Sequence, residues 1–326
     1  MRAAMRDRYG PPDVVEVREV ERPEPGPDEV LVRVHAASVN RADLDLIYPL
    51  PGFARLFLGL RAPRVRRLGC DVAGVVQSVG ADVTRFTPGD EVFGDMYPYG
   101  LGSFGEYVCA PEKAFASVPT GMPLEQAATL PHAAILALCG LRLGNGRTIG
   151  SGDRVLIDGA SGNVGPFAVQ IAKSLGAEVT GVCSTDKVDF VRSLGADHVV
   201  DYTAVDYTRT GERYDWILAV EAHHSLFRVR HALRPGGAYL TLGGRTPWLF
   251  QALLLGPLIS LAGSRRMGLV LWWRPFLAED VATLKDLIAA GVVQPVIDRR
   301  YPLSDIVEAL RYVDERRASG KVVITV

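Results

Sequence analysis

The 326-residue sequence predicts an α/β fold in two parts, a doubly wound parallel sheet and a smaller, partly open β-barrel. Three observations carry that prediction. From Leu124 onward, short apolar runs alternate with helical patterns, as strands joined by crossover helices do. In the middle of the chain a turn of small residues, Gly159 to Gly165, separates an apolar strand from a helix. Residues 1 to about 120 instead show period-two alternation punctuated by proline and glycine, the pattern of short antiparallel strands.

The barrel half opens the chain. Val14–Val20 and Glu29–His35 alternate apolar and polar residues across the proline-rich turn Arg22–Pro27, and Gly74–Gly80 and Asp90–Gly94 are short strands bounded by glycine. Thr87 to Asp90 forms a turn, because Pro88 fixes one φ and Gly89 permits a positive one. Ala42 to Arg67 departs from the pattern. Its apolar run Phe53–Leu60 precedes Arg61, Arg64, Arg66 and Arg67, which suits a loop helix with a basic end or a lid over an apolar substrate.

In the sheet half, Leu124–Leu130 and Ala133–Leu143 are helical by composition. Val155–Ile157 is a strand buried on both faces, and Phe167, Val169, Ile171, Ala172 and Leu175 recur at helical spacing. Strands follow at 178–183, 198–200, 215–220 and 237–242, with helices at 186–194 and 224–233. Leu269–Trp273 is expected as the last, edge strand, with Trp272 and Trp273 in core or interface. Helices over Glu279–Ala290 and Ser304–Asp314 flank Val296 and Ile297. The alternating Lys321–Val326 matches the N-terminal sheet, so the chain is expected to fold back. Residues 1–121 with 276–326 then form the barrel domain, and 122–275 the sheet domain.

Composition excludes several classes. The 48% hydrophobic content fills two cores, and a net charge of −1 with both signs interspersed argues against nucleic acid or an anionic membrane as partner. Four cysteines, Cys70, Cys109, Cys139 and Cys183, stand singly, which suits a reducing, cytoplasmic setting. The N-terminus has no apolar core of a signal peptide. Pro247–Ala262, the most apolar segment, is too short to span a bilayer and is interrupted by Gly256 and Pro257.

Ala160-x-Gly162-x-x-Gly165 has the spacing of a dinucleotide fingerprint, with Ala in the first position. Small residues let the backbone approach a pyrophosphate, and the following helix offers its first N–H groups to it. Ala160, Ser161, Gly162, Asn163, Val164 and Gly165 are therefore cofactor-binding candidates, joined by Gly243 after strand 237–242. The acid that usually grips a ribose 2′-hydroxyl about 20 positions on is missing at Cys183. Ser184, Thr185 and Lys187 suit a 2′-phosphate, so NADPH is expected ahead of NADH, while Asp186 suits a helix cap.

With these residues assembled, the chain resembles the medium-chain dehydrogenase/reductase superfamily, in its zinc-independent, quinone oxidoreductase-like branch. The resemblance rests on 26–34 with Ala37–Asn40, Gly69–Gly74, Phe86–Phe93, Gly159–Gly165 and Leu194–Tyr202, and covers nearly the whole chain. It implies a GroES-like catalytic domain, a Rossmann domain and a site in the cleft between them, in dimers or tetramers. It also implies that Ser184, Lys187 and Tyr202 lie near the adenosine ribose and its 2′-phosphate. Asn40 matches a cleft asparagine where zinc alcohol dehydrogenases have a cysteine ligand. Cys70 and His132 fall where those enzymes have a histidine and a second cysteine, and Asp71 is adjacent. Asn is a poor zinc ligand, so no metal is expected. Leu136 stands where the family often has threonine. Glu221, His223 and His224 stand where it has small residues, as a solvated cap or as contacts to cofactor or substrate.

The expected activity is NADPH-dependent hydride transfer to a quinone or α,β-unsaturated carbonyl, on a small, largely apolar substrate, by a homodimer. Asn40 would donate to the developing enolate, and Tyr48 or His132 would deliver a proton. The alternatives are a dedicated enoyl or ketone reductase of an acyl or polyketide-like substrate, a zinc-dependent alcohol dehydrogenase, and an idle nucleotide-binding protein.

Overall fold

The computed structural model describes residues 1–49, 52, 55–143, 146–270 and 276–326. Its chain divides into two units, one of Met1–Ile135, Pro275–Lys285 and Pro295–Val326, the other of Leu136–Arg274 and Asp286–Gln294.

In the first unit β1 (Arg2–Arg6) and β2 (Val15–Glu19) form an antiparallel ribbon. The main strands are β3 (Glu29–Val39), β4 (Asp71–Val79), β5 (Glu91–Asp95), β6 (Tyr107–Pro111) and β7 (Phe115–Ser117). Near the chain end come β14 (Ile297–Pro302) and β15 (Lys321–Thr325), and the sheet runs β14-β15-β3-β4-β5-β7, with β6 also on β3. The return of the C-terminus is real: Val322 to Thr325 pair antiparallel with Val39 to Ala36. Strands β1, β6 and β7 escaped the sequence reading because each is only three to five residues long. Buried Val30, Val32, Val72, Val76, Val92 and Phe115 fill the barrel. A second cluster joins Val39 and Leu44 to Ile306 and Leu310 of α10 (Ile306–Asp314).

Four further helices belong to the first part of the chain: α1 (Arg41–Ile47), α2 (Arg55–Leu58), α3 (Leu124–Ala127) and α4 (Ala133–Gly140). The expected loop helix over 53–60 is a single turn, with Phe53 and Ala54 outside the described residues and Leu56, Phe57 and Leu60 exposed. The first unit takes in 122–135 because α3 packs on β3 and β4.

The second unit holds β8 (Arg154–Asp158), β9 (Glu178–Cys183), β10 (His198–Asp201), β11 (Tyr214–Ala219), β12 (Leu233–Thr241) and β13 (Arg266–Leu269). All are parallel, in the order β10-β9-β8-β11-β12-β13, so the winding reverses between β8 and β11. In doubly wound sheets, ligands bind at the carboxyl ends beside that reversal. The linking helices are α5 (Gly165–Ser174), α6 (Val188–Ser193), α7 (Leu226–Ala232) and α8 (Thr246–Leu261). Val155, Leu156 and Ile157 are all 0% exposed, as a strand covered on both faces requires. The edge strand starts three residues earlier than expected, and Leu271, Trp272 and Trp273 lie outside the described residues.

Helix α8 runs through Gly256 and Pro257 instead of breaking there; Pro257 is exposed, as is Leu253, whose carbonyl it cannot satisfy. Helix α9 (Ala278–Ala289) follows. Residues 286–294 belong to the second unit because Gln170 brackets Gln294, donating to its carbonyl at 3.1 Å and accepting from its N–H at 2.8 Å.

Candidate functional site

The fingerprint turn is built for close backbone packing. Gly159 has φ of +90°, and Gly162 closes the turn by donating to the Gly159 carbonyl at 3.1 Å. A Cβ on Gly165 would stand 2.3 Å from the Gly159 oxygen, so only glycine lets α5 begin there. A Cβ on Gly162 would meet only the Gly159 oxygen, at 3.6 Å, which leaves open space above the turn. The first N–H groups of α5 have no acceptor within the helix and favour an anion. Ala160 and Val164 are buried, while Gly162 and Asn163 are half-buried. The cradle suits a dinucleotide pyrophosphate.

At the end of β9 the chain places Ser184, Lys187 and Tyr202 together. Tyr202 N–H donates to the Cys183 carbonyl at 3.0 Å and its ring is 56% exposed; Lys187 is buried. Ser184 Oγ donates to Asp186 Oδ1 at 2.5 Å, so Asp186 is held by the residue expected to meet the ribose. Asp201 accepts from Thr185 at 2.6 Å, a bond that, with those from Thr203, keeps its carboxyl below the usual range. Gly243 is not sterically constrained, since a Cβ there would stand 3.5 Å from the nearest atom. Its neighbour Gly244 is the constrained one, with φ of +142° and only 2.5 Å to the Ala222 nitrogen.

Beside the reversal of winding lies Asp158, the last residue of β8, which sequence reasoning missed. It is 3% exposed; Oδ1 is 3.4 Å from His223 Nε2, and Oδ2 has no partner among the described residues. His224 meets Asp206 at 3.9 Å and packs edge-on with the Tyr207 ring, and burial lowers its pKa. The signal was available, because Asp158 is a carboxylate ending an apolar strand just before the fingerprint.

The first unit carries a separate, buried polar cluster. The ends of β3 and β5 and the starts of β4 and β15 fall at one end of its sheet, because these neighbours run antiparallel. They bring together Asn40, Asp71, Asp95 and Lys321, each 2% exposed or less. Lys321 Nζ donates to Asn40 Oδ1 at 2.7 Å and faces Asp71 Oδ2 at 3.3 Å. Asp71 Oδ2 also accepts from Asn40 Nδ2 at 2.8 Å and from Ser38 Oγ at 2.7 Å, while its Oδ1 accepts from the His132 N–H at 2.9 Å.

His132 Nδ1 lies 3.1 Å from Asp95 Oδ2. Burial opposes a charged imidazole, but Asp95 and Asp71 outweigh it and raise the His132 pKa. Asp43 accepts from the Asn40 N–H at 2.8 Å and from the Cys70 thiol at 3.2 Å; burial pushes it up to about 6. Burial, then the surrounding carboxylates, drive the Cys70 thiol well up.

Three expectations change here. Asn40 does not offer a free donor to an enolate: both amide hydrogens go to Asp71 and to the Ser38 carbonyl, the latter at 3.4 Å. The Tyr48 hydroxyl, one of the two expected proton donors, donates to Asp314 on α10 at 2.7 Å, and burial plus that carboxylate push it up to about 12. Lys321, read only as the start of a strand, supplies the buried cation. A lysine opening a terminal strand gave no sign of this.

The donor set also bears on zinc. Asn is a poor zinc ligand, the Cys70 thiol is engaged with Asp43, and the Lys321 ammonium, which a cation would repel, sits on Asn40 and Asp71. These residues do not suit a zinc ion. Among the described residues no group of three or more His, Cys, Asp or Glu is arranged to hold a metal.

Known proteins match this architecture throughout. Residues 26–120 match the alcohol dehydrogenase GroES-like domain, and 194–324 match the zinc-binding dehydrogenase domain. The mitochondrial NAD(P)H oxidoreductase RTN4IP1 of Mus musculus is 33% identical over 92% of this chain and 82% of its own. The chloroplastic quinone-oxidoreductase QR1 of Triphysaria versicolor is 32% identical over 99% and 98%. Among solved structures, the quinone oxidoreductase of Coxiella burnetii superposes with a TM-score of 0.88 at 26% identity, over 100% of this chain and 99% of its own. A doubly wound nucleotide-binding sheet with a GroES-like barrel defines an NAD(P)H-dependent oxidoreductase. The chain belongs to the medium-chain dehydrogenase/reductase superfamily, among its quinone oxidoreductase-like members.

Proposed function

We propose that the protein is an NADPH-dependent reductase of quinones or α,β-unsaturated carbonyls that works without a metal. One observation carries this reading: the first unit's polar cluster holds a lysine ammonium and a protonated thiol where a metal-using relative would need ligands. With no Lewis acid, the acceptor must take up the hydride's charge by its own conjugation, as quinones and enones do.

A bound nicotinamide supplies the hydride. His132 supplies the proton: Asp95 fixes its ring and, against burial, favours its charged form, which can give a proton to the reduced oxygen. Asn40 acts behind it, tying Asp71 and Lys321 into a frame that also holds the His132 backbone. Ser184, Lys187 and Tyr202 at the end of β9 favour the 2′-phosphate of NADPH, and Gly162 with Gly165 the pyrophosphate.

The test is NADPH and NADH oxidation by purified protein across a panel of quinones and enones, with and without a strong chelator. The expected result is saturable turnover, a higher kcat/KM for NADPH, and no effect of chelation. Loss of turnover on chelation would sink the metal-free reading, and absence of NADPH saturation the enzymatic one.

A further inference from the structure

Helix α8 carries no charged side chain in its sixteen residues, and apolar groups lie all round it. Such a helix belongs in a core or in lipid. Yet only Ala252 and Gly256 are buried. These small residues mark the packed side, where a Cβ on Gly256 would stand 2.5 Å from the Met267 carbonyl on β13. Leu255 and Ile259 pack partly on the core of the second unit, but other bulky residues are turned outward. Phe250, Leu254, Leu258 and Leu261 recur along one helical stripe and are 40%, 62%, 60% and 82% exposed, and Phe227 on α7, which packs against α8, is 57% exposed. A contiguous apolar surface of this kind marks an interaction face.

The charges around it say what the face meets. Between Glu221 and Glu279 the sequence holds seven arginines, no lysine and no acid, in a chain whose net charge is −1. Arg245 stands at the start of α8, Arg265 and Arg266 follow its end, and Arg228 and Arg230 lie on α7. Arg228 faces Asp206 at 3.7 Å and Arg234 meets Asp215 at 2.7 Å. Among the described residues, Arg230, Arg245, Arg265 and Arg266 have no carboxylate partner. A second copy of this chain on the same face would set these arginines against each other with no acid to answer them. Acyl chains beneath anionic phosphates complement both the leucines and the guanidiniums.

We propose that α8 and its arginine rim seat the protein on the surface of an anionic phospholipid bilayer. At 1.5 Å per residue α8 is about 24 Å long, short of the roughly 30 Å needed to cross, and no helix among the described residues is long and apolar enough to span. It therefore lies in the interface. The expectation of no anionic membrane came from whole-chain charge, in which acids elsewhere cancel this run of arginine.

The experiment is co-sedimentation of the full-length protein with vesicles of phosphatidylcholine alone and of phosphatidylcholine mixed with phosphatidylglycerol. Binding to the mixed vesicles only, released by salt, is expected. The exposed-face variant Leu254→Asp/Leu258→Asp should bind about tenfold more weakly or worse, with the melting temperature and NADPH oxidation of the wild type. Arg245→Glu/Arg266→Glu should weaken binding without touching the apolar stripe, and it decides the matter if the leucine variant does not fold. Equal binding to both vesicle types, or none, overturns the proposal. So does a leucine variant that turns a dimer into a monomer in sedimentation equilibrium while vesicle binding stays as it was, because a second copy then covers the face.

Discussion

Replacing Lys321 by Met asks whether charge holds the buried cluster of the first unit together. Lys321 is 1% and Asp71 0% exposed, with 3.3 Å between Nζ and Oδ2. Met fills nearly the same volume, so the loss is electrostatic more than steric. Removing one partner of a buried pair typically costs about 3–5 kcal/mol. The lower end applies, because Asp71 keeps donors from Ser38, Asn40 and the His132 backbone at 2.7, 2.8 and 2.9 Å. Asn40 Oδ1 in turn loses its donor, about 1 kcal/mol or more. Lys321→Met is therefore expected to lose about 3–4 kcal/mol, which lowers the melting temperature by roughly 6–16 °C at about 2–4 °C per kcal/mol. Calorimetry on wild type, Lys321→Met, Asp71→Asn and the double variant closes a cycle. The double variant leaves no uncompensated charge, so a coupling energy of about 2 kcal/mol is expected. A loss below about 1 kcal/mol, or strict additivity, would refute the pair as the organising charge.

Three other outcomes follow from the geometry. Burial lifts Asp43 from 3.8 to about 6, so the folded chain keeps a proton that the unfolded chain has released, and stability falls as pH rises from about 4 to 6, by about 3 kcal/mol. His132, raised above 6.5, stabilises below that value and loses its contribution as pH rises through its folded pKa. Thermal melts across this range should show the Asp43 fall missing in Asp43→Asn, and an unchanged slope counts against it. Gly162→Ala should weaken NADPH binding, read by titration, with little change in melting temperature, whereas Gly165→Ala should lose both, by about 1–3 kcal/mol in stability. Tyr48→Phe should cost about 1 kcal/mol and leave kcat unchanged; a fall of about a hundredfold would restore Tyr48 as the proton donor.

The fold was readable where the residues themselves enforce it. Val155–Ile157 can only be a strand covered on both faces, and the alternation of Lys321–Val326 pointed to the barrel it joins. Short strands such as Phe115–Ser117 were not readable, since three residues carry no period and pairing with β5 alone makes them strands. The fingerprint glycines were readable as a spacing, but their separate roles depend on where a Cβ would point. Asn40 and His132 emerged as neighbours, but Lys321 did not, because the contact links positions 281 residues apart. The bond of Tyr48 was unreadable for the same reason. Its partner Asp314 lies 266 residues away, on a helix whose packing no local pattern describes.

Asp71 and Asp158, both buried at strand ends, differ in how fully they are bonded. Asp71 meets a hydroxyl, an amide, a backbone N–H and an ammonium, so its lone pairs are taken and it serves as framing for His132. Asp158 has one oxygen on His223 at the limit of a hydrogen bond and the other without a partner among the described residues. An unsatisfied buried acceptor costs about 1–3 kcal/mol, a penalty that a bound donor removes. It stands beside the reversal of winding, at the carboxyl ends where doubly wound sheets take their ligands. The Asp71 cluster is therefore saturated, with no lone pair left for a further donor. The unsaturated one is where binding has free energy left to gain.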